Sequence, residues 1–151
     1  MLRFERAVDD KTLEDWRYVH NVVIPTVSLS LDEVRERTQR NHLEVAYLGD
    51  VLVGNCTVWP PSEETPAARV IARVLVEHRR QGFGEQLYRR ALDRARAMGA
   101  TTFGSVVLSS NPDGLHFALQ HGFVETERYV LPGETIPWID LQYQDTAVAS
   151  S

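Results

Sequence analysis

The sequence predicts an α/β fold in which one mixed β-sheet carries helices on its faces. Strand-like and helix-like segments alternate along the chain in the order β-α-α-β-β-β-α-β-α-β-β. A strand, a glycine turn, a helix and a second strand follow one another over 70–107, the pattern of a right-handed crossover between parallel strands. The length of 151 residues suits a single domain. We expect that domain at 1–143, followed by a flexible tail over 144–151.

The first half of the chain is predicted to form a strand, two helices and a hairpin. A pattern similar to a capping box begins at Thr12 and opens the first helix, which Pro25 ends. A clearer capping box at Ser30 opens the second helix, which extends to Arg40. Gly49-Asp50 joins two strand-like runs and predicts a hairpin. The predicted strands of this half cover 2–7, 43–48 and 51–59.

The second half is predicted to add the crossover helix, a short helix and the remaining strands. The crossover helix covers 85–98 and ends at Gly99, since glycine commonly terminates helices. The short helix begins at Asn111, because asparagine is a preferred N-cap, and it ends at His121-Gly122. The predicted strands of this half cover 67–76, 102–108, 123–129 and 136–143.

Composition and charge disfavour several classes of function. The hydrophobic content of 43% and the charged content of 25% are those of an ordinary globular domain. A net charge of −5 disfavours nucleic acid as a partner. The sequence has no apolar run that could span a membrane and no secretory leader, so we expect a cytoplasmic protein without membrane or metal partners. The single cysteine, Cys56, is expected to be buried and inert.

A basic glycine turn over 79–84 is the most informative segment. Gly82 and Gly84 precede the crossover helix, whose N-terminus presents unpaired N–H groups and the positive end of the helix dipole. Arg79 and Arg80 can add charge toward a phosphate. The segment lacks the Gly-Lys-Ser/Thr of a Walker loop and the third glycine of a dinucleotide fingerprint. It predicts an anion site of another kind, with a plain structural turn as the alternative.

The sequence Arg79-Arg-Gln-Gly-Phe-Gly84 resembles the R/Q-x-x-G-x-G/A turn of the GNAT superfamily of acyl-CoA-dependent N-acyltransferases. The segment 111–123 resembles a second signature of that superfamily, in which an asparagine opens a helix that closes in Gly-Phe. The order and spacing of the elements match over about residues 1–143. Within the superfamily, the segments 73–84, 117–123 and 138–141 are similar to domains of tandem-repeat GNAT proteins.

The resemblance implies a mixed sheet with splayed central strands and an acyl-CoA ligand, acetyl-CoA or another, between them. Backbone groups of Ala72, Arg73 and Val74 on the fourth strand would pair with the pantetheine arm, as an added strand would. The turn would hold the pyrophosphate, and Asn111 would hold the lower pantetheine or the turn beside it. An amine would attack the thioester directly while a backbone N–H near Val74 polarises the carbonyl. The implied cofactor-binding residues are Ala72, Arg73, Val74, Arg79, Arg80, Gln81, Gly82, Phe83, Gly84, Glu85 and Asn111.

The positions at which many members of the superfamily carry a general acid or base are apolar in this sequence. Ala118 replaces a tyrosine, and Val106 and Ala68 replace alternative glutamates. A positioned acid or base contributes ~10²–10⁴ to a rate, so the catalytic residues stay unassigned. The sequence offers several substitutes, each with a surface or packing role as the alternative: His78, His116, Glu63, Glu64, Tyr129, Tyr143, Ser109 and Ser110.

The arginines on two predicted elements have different expected roles. Arg69 and Arg73 lie on one side of the fourth strand, and charged residues on a central strand need a partner. They would favour an acceptor with a carboxylate if this side opens to the acceptor cleft, and a structural salt bridge is the alternative. On the next helix, Arg90, Arg94 and Arg96 are expected to form a solvated face.

The sequence therefore predicts an N-acyltransferase that acts on a small-molecule or peptide amine. The alternative is a non-catalytic acyl-CoA-binding domain, because the turn is intact while the usual acid–base positions are not. A homodimer is compatible with either function, since dimers are frequent in the superfamily. No residue specifies the acceptor, the acyl chain length or the oligomeric state.

Overall fold

The structure, a computed structural model, describes residues 2–144. Within that range the chain forms one mixed β-sheet with helices on both faces. The strands are β1 (Arg3–Arg6), β2 (His42–Leu48), β3 (Val51–Trp59), β4 (Ala67–Val74), β5 (Thr102–Leu108), β6 (Phe123–Tyr129) and β7 (Trp138–Tyr143). The helices are α1 (Asp10–Val23), α2 (Leu31–Arg37), α3 (Phe83–Ala97) and α4 (Pro112–Gln120), with short 3₁₀ turns at Pro25–Val27 and Val76–His78.

The predicted α/β fold with a mixed sheet is confirmed. The strand order is β1-β2-β3-β4-β5-β7-β6, in which β4 and β5 run parallel and the other neighbours run antiparallel. Helix α3 connects β4 to β5, so the predicted crossover unit forms. None of the described helices is long and apolar enough to cross a membrane. Apart from residue 144, the predicted tail lies outside the described residues.

Side-chain hydrogen bonds cap the N-termini of α1 and α2. Ser30 caps α2 as predicted, because its Oγ accepts a hydrogen bond from the Glu33 N–H at 3.1 Å and the Glu33 carboxylate accepts one in return at 2.9 Å. For α1 the predicted start at Thr12 is wrong. The N-cap is Asp9, whose carboxylate accepts a hydrogen bond from the Thr12 N–H at 2.8 Å, and Thr12 is its reciprocal partner.

Other element boundaries differ from the prediction where turns intervene. Helix α2 ends at Arg37, before the predicted end, because the following residues form a turn. Helix α3 begins at Phe83 rather than residue 85, because Gly82 with a φ of 80° acts as its N-cap. Strand β4 ends at Val74 because Val76–His78 folds into a 3₁₀ turn.

Helices α1 and α2 cover one face of the sheet and α3 packs on the other. On the α3 face, Leu87, Ala91 and Ala95 are fully buried against the sheet. On the other face, α1 is tied to β3 because the Asn55 Nδ2 donates a hydrogen bond to the Trp16 carbonyl at 3.0 Å. As predicted, Cys56 is buried, and burial raises the pKa of its thiol.

A buried carboxylate on β2 holds α3 against the sheet. Glu44 is 1% exposed and accepts hydrogen bonds from His42 and from the Arg90 Nε at 2.9 Å, while the Arg94 Nε lies 3.5 Å away. Burial alone would raise the pKa of Glu44, but the hydrogen bonds from His42 and Arg90 outweigh it and lower the pKa to about 2. The expectation that Arg90 and Arg94 form a solvated face is therefore wrong, because both pair with a buried group.

Strands β4 and β5 separate after a short parallel contact, as the resemblance implied. Residues 67–69 of β4 pair with residues 102–104 of β5, and from residue 104 onward β5 pairs with β7. The second half of β4 therefore has β3 on one edge and a gap on the other. The predicted splay of the central strands is confirmed, and the gap opens toward the turn that leads into α3.

Candidate functional site

The free edge of β4 presents alternate residues to the gap. In the antiparallel ladder with β3, the Leu75 N–H donates a hydrogen bond to the Val53 carbonyl at 2.9 Å. Because hydrogen-bonded and non-hydrogen-bonded positions alternate along such a ladder, the backbone groups of Ala72 and Val74 point into the gap. The backbone of Arg73 faces β3. Arg73 therefore brings its side chain to the site, in place of the backbone groups that the resemblance implied.

The turn before α3 exposes a row of unpartnered backbone donors. Arg80 and Gly82 have φ values of 64° and 80°. Left-handed residues next to other turn residues make successive N–H groups converge in a concave anion site. The Gln86 N–H makes the first hydrogen bond of the helix, to the Gly82 carbonyl at 3.3 Å, and no acceptor among residues 2–144 binds the N–H groups of residues 80–85. Such a set of donors suits a phosphate or diphosphate.

Gly84 lets an aromatic ring lie against the first turn of α3. A Cβ at this position would stand 1.8 Å from the Cζ of Phe117. The centroid of the Phe117 ring also lies 5.2 Å from that of Tyr88 and 4.3 Å from that of His121. Helix α4 is therefore fixed against the turn, and position 84 requires glycine.

The two arginines of the turn have different surroundings. The Arg79 Nε donates a hydrogen bond to the Val74 carbonyl at 3.0 Å, and its Nη1 lies 3.4 Å from the Asp113 Oδ2. Arg79 thus bridges the end of β4 and the start of α4. Arg80 is exposed and forms no ion pair with a described residue. Arg80 is therefore the arginine whose side chain is open to an incoming phosphate.

A cavity of about 280 Å³ joins the gap to the turn. It reaches Val23 at the end of α1 and the first residues of α3 and α4. Asn111 caps α4 as predicted, with its Oδ1 accepting a hydrogen bond from the Gly114 N–H at 3.1 Å. The predicted cofactor-binding residues that line the cavity are Ala72, Arg73, Val74, Arg79, Arg80, Gly82, Gly84, Glu85 and Asn111. Of the remaining two, Gln81 is exposed and Phe83 packs into the core.

Ala68, Val106 and Ala118 occupy the positions at which members of the superfamily carry a general acid or base, and their side chains supply no titratable group to the gap. Ala68 and Ala118 are buried in the core beneath α3. Val106 on β5 lies opposite Asp140 on β7, which is the carboxylate on the neighbouring strand. Both oxygens of Asp140 are already engaged.

Asp140 holds two of the side chains that the sequence singled out. The Tyr129 hydroxyl donates a hydrogen bond to its Oδ1 at 2.9 Å, and the Arg69 Nη2 lies 3.4 Å from its Oδ2. Burial and the hydrogen bond to Asp140 raise the pKa of Tyr129. The Arg69 guanidinium also stacks over the Trp59 ring, 5.4 Å from its centroid. Arg69 therefore forms a structural salt bridge, one of the two alternatives that the sequence left open.

Among the other candidate acid–base residues, the structure brings His78 to the cavity wall. Those that lie outside the cavity lining are His116, Glu63, Glu64, Tyr143, Ser109 and Ser110. The described residues contain no group of three or more His, Cys, Asp or Glu side chains that could hold a metal ion.

Two buried polar residues beside the gap were not recognised from the sequence. Ser105 on β5 is 2% exposed, and its side chain lies beside the Tyr88 hydroxyl. Tyr88 on α3 was assigned only to the apolar side of its helix, and burial raises the pKa of its hydroxyl to about 12. Two features of the sequence could have revealed these residues: the serine at an inward position of a strand, and the tyrosine within the apolar side of a helix.

The fold and this site define a class of protein. A mixed sheet split between two parallel strands, with an anion-binding turn leading into the crossover helix, is the architecture of an acyl-CoA-dependent acyltransferase. The chain belongs to the acetyltransferase (GNAT) family, because the model of that family matches residues 7–123. The resemblance seen in the sequence is thereby confirmed.

Solved structures with the same fold are similar over almost their whole length. An acetyltransferase from Bacillus subtilis in complex with CoA is 21% identical, with a TM-score of 0.71, and the match covers 96% of this chain and 99% of that one. A protein from Salmonella typhimurium with its cofactor acetyl-CoA is 18% identical, with a TM-score of 0.69 and coverages of 95% and 93%. A ribosomal-protein-alanine N-acetyltransferase from Brucella melitensis is 17% identical, with a TM-score of 0.70 and coverages of 94% and 98%. A search of curated proteins finds no match.

Proposed function

We propose that the protein transfers an acetyl group from acetyl-CoA to the amine of a small molecule or a peptide. The observation that carries the proposal is the row of unpartnered N–H groups over 80–85, which opens onto a cavity along the free edge of β4. This arrangement suits a ligand with a diphosphate at one end and an extended chain with amides at the other. The structures of similar fold that contain CoA or acetyl-CoA support the same donor.

The residues of the chain divide the binding of the donor between them. The N–H groups of 80–85 and the dipole of α3 hold the diphosphate, and the Arg80 side chain adds positive charge. Gly82 has no side chain, so a phosphate can approach the backbone closely. The gap-facing backbone groups of Ala72 and Val74 pair with the pantetheine amides as an added strand would. The Val74 carbonyl is shared with Arg79, which leaves the Val74 N–H as its free group.

The chemistry that this site supports is attack of a neutral amine on the thioester carbonyl. The Val74 N–H points into the gap and would stabilise the negative charge that develops on the carbonyl oxygen. Because Ala68, Val106 and Ala118 carry no acid or base, positioning of the two substrates and polarisation of the carbonyl supply most of the acceleration. The acetyl group moves to the amine nitrogen, the amine loses a proton, and the CoA thiol leaves.

A second candidate function is acyl-CoA binding without transfer. The observation that favours it is the same set of apolar positions, together with an Asp140 carboxylate that Tyr129 and Arg69 already engage. Loss of a positioned acid or base costs ~10²–10⁴ in rate, which a binding domain tolerates.

Release of the CoA thiol from acetyl-CoA tests the proposal. We expect release that depends on an added amine when amino acids, polyamines, aromatic amines and short peptides are tried in turn. Calorimetric titration with acetyl-CoA is the parallel measurement of binding. Binding without turnover of any acceptor class would select the second candidate. Absence of binding at millimolar acetyl-CoA would contradict both candidates.

A further inference from the structure

An arginine on the wall of the cavity, half-buried and with one guanidinium nitrogen fully buried, has no partner among the described residues. Arg73 lines the cavity, and its Nη1 is buried without a hydrogen bond to any described residue. No Asp or Glu of residues 2–144 forms an ion pair with it. A buried charge without a counter-charge is costly in a folded protein, and arginine is the side chain best suited to bind a carboxylate. A bound ligand with a negatively charged group could therefore supply the counter-charge that Arg73 does not find within the described residues.

The groups around Arg73 add positive charge instead of neutralising it. Burial and the nearby Arg37 guanidinium lower the pKa of Arg73 to about 10, so its guanidinium stays charged at neutral pH. Burial and the charge of Arg73 lower the pKa of His20 to about 4, so that imidazole is neutral. Arg37 itself forms no ion pair with a described residue. The local potential favours an anion.

Two more buried polar atoms without partners lie on the same face of the sheet. In the ladder between β3 and β4, Asn55 is opposite Arg73 and Thr57 is opposite Ile71. The Asn55 Oδ1 and the Thr57 Oγ1 are buried and, like the Arg73 Nη1, have no partner among the described residues. Buried polar groups in folded proteins are nearly always hydrogen-bonded. Of the three residues, Arg73 lines the cavity, and it is therefore the one that a ligand in the cavity can reach.

Arg69 provides the contrast on the same strand. It lies on the same side of β4 as Arg73, but Asp140 neutralises its charge within the protein at 3.4 Å. Arg73 lies farther along β4, where the strand edge faces the gap. The unpartnered charge is therefore specific to the part of the strand that borders the cavity.

We infer that Arg73 binds a carboxylate of the acceptor, so that the acceptor is a small amine bearing a carboxylate, such as an amino acid. This inference rests on the function proposed above. Ala72 and Val74 flank Arg73 and face the gap through their backbones. An acceptor anchored on Arg73 thus lies beside the Val74 N–H, the group that would polarise the thioester carbonyl. The diphosphate of the donor is held separately, by the N–H groups of 80–85.

Matched pairs of acceptors test the inference. Thiol release is measured with the common α-amino acids, β-alanine and γ-aminobutyrate, each against its carboxamide, and with spermidine. We expect turnover of at least one acid, with a kcat/KM at least ~10-fold above that of its amide, the size of one charge-assisted contact. Arg73→Met should raise the KM for the acid ~10–100-fold and leave the KM for the amide unchanged. Methionine removes a buried charge at similar volume, so this variant is expected to fold.

Arg69→Met is the matched control, because Arg69 lies on the same side of the same strand and is already paired. It should keep the preference for the acid, and Arg73→Met should bind acetyl-CoA within about threefold of wild type. The inference is overturned if amides or spermidine react as well as the acids. It is also overturned if Arg73→Met loses acetyl-CoA affinity, or if an amide or spermidine reacts while no acid does. Turnover of no acceptor at all, or absence of acetyl-CoA binding to the wild type, would instead overturn the proposed function, and this inference with it.

Discussion

Gly82→Val is expected to abolish detectable acetyl-CoA binding. Gly82 caps α3 with a φ of 80°, and no atom lies within 4 Å of a Cβ built at this position. The added side chain therefore leaves the packing intact and stands where a diphosphate must approach the N–H groups of the turn. The left-handed conformation itself costs a β-branched residue ~1–2 kcal/mol. Calorimetric titration to millimolar acetyl-CoA measures the loss.

Gly133→Val is the matched control for backbone strain. Gly133 lies between β6 and β7 with a φ of 81°, and a Cβ there also has no neighbour within 4 Å. Both variants should lose similar stability, while Gly133→Val keeps the affinity of the wild type. Binding by Gly82→Val within about tenfold of wild type would show that the turn does not hold the donor. Equal loss of binding in both variants would attribute the effect to strain.

Glu44→Ala is expected to lower the free energy of unfolding by about 2–4 kcal/mol. The buried carboxylate is the common acceptor for His42, Arg90 and Arg94, and its removal leaves three donors without that partner. The arginine side chains reach solvent, which keeps the cost at the lower end for a buried network. Urea denaturation measures the change.

Asp93→Ala on α3 is the control for that change, because Asp93 pairs with Arg96 at the surface. It should alter the free energy of unfolding by no more than about 0.5 kcal/mol. A Glu44→Ala effect as small as that of Asp93→Ala would contradict the role assigned to the buried carboxylate.

The same carboxylate gives the wild type a dependence of stability on pH. Its pKa falls from 4.5 in the unfolded chain to about 2 in the folded protein, so the unfolded chain binds that proton more readily. The stabilisation is therefore complete above pH 4.5 and is lost as the pH falls toward 2. The unfolding temperature of the wild type should fall more steeply across this window than that of Glu44→Ala. Parallel curves would contradict the pKa direction.

Local signals in the sequence predicted the elements well, because capping and turn chemistry act over a few residues. Ser30 and Asn111 cap their helices as expected. The predicted start of α1 at Thr12 was three residues late, because Asp9 is the N-cap and Thr12 is its reciprocal hydrogen-bond partner. A capping pattern of this kind predicts that a helix is present more reliably than it predicts the residue at which the helix begins.

The partners of charged residues could not be predicted, because pairing depends on which strands and helices become neighbours. Arg69 and Arg73 are equivalent in the pattern of β4, yet β7 brings Asp140 to Arg69 alone. Glu44 pairs with Arg90, a residue 46 positions away in the chain. The tertiary fold therefore determines that Arg69 is paired and Arg73 is not. The proposal of an acceptor with a carboxylate depends on this difference.

The candidate site was predictable where it depends on a short motif. The glycine turn and the N-terminus of α3 expose donors as the motif implies. The side of β4 on which each backbone group lies depends on its register with β3, so the assignment of the Arg73 backbone needed the structure. Arg79 was expected to face phosphate, and its bond to the Val74 carbonyl follows from the path of the turn.

A titration of the isotopically labelled protein with acetyl-CoA, followed by two-dimensional NMR of the backbone amides, tests the central claim most directly. The account predicts that the largest shift changes and the greatest slowing of hydrogen exchange fall on the amides of Ala72, Val74 and residues 80–85. Amides of the hairpin turn at Gly49 should not change. Saturable binding with its largest changes away from the gap and the turn would contradict the account, as would no change at millimolar acetyl-CoA.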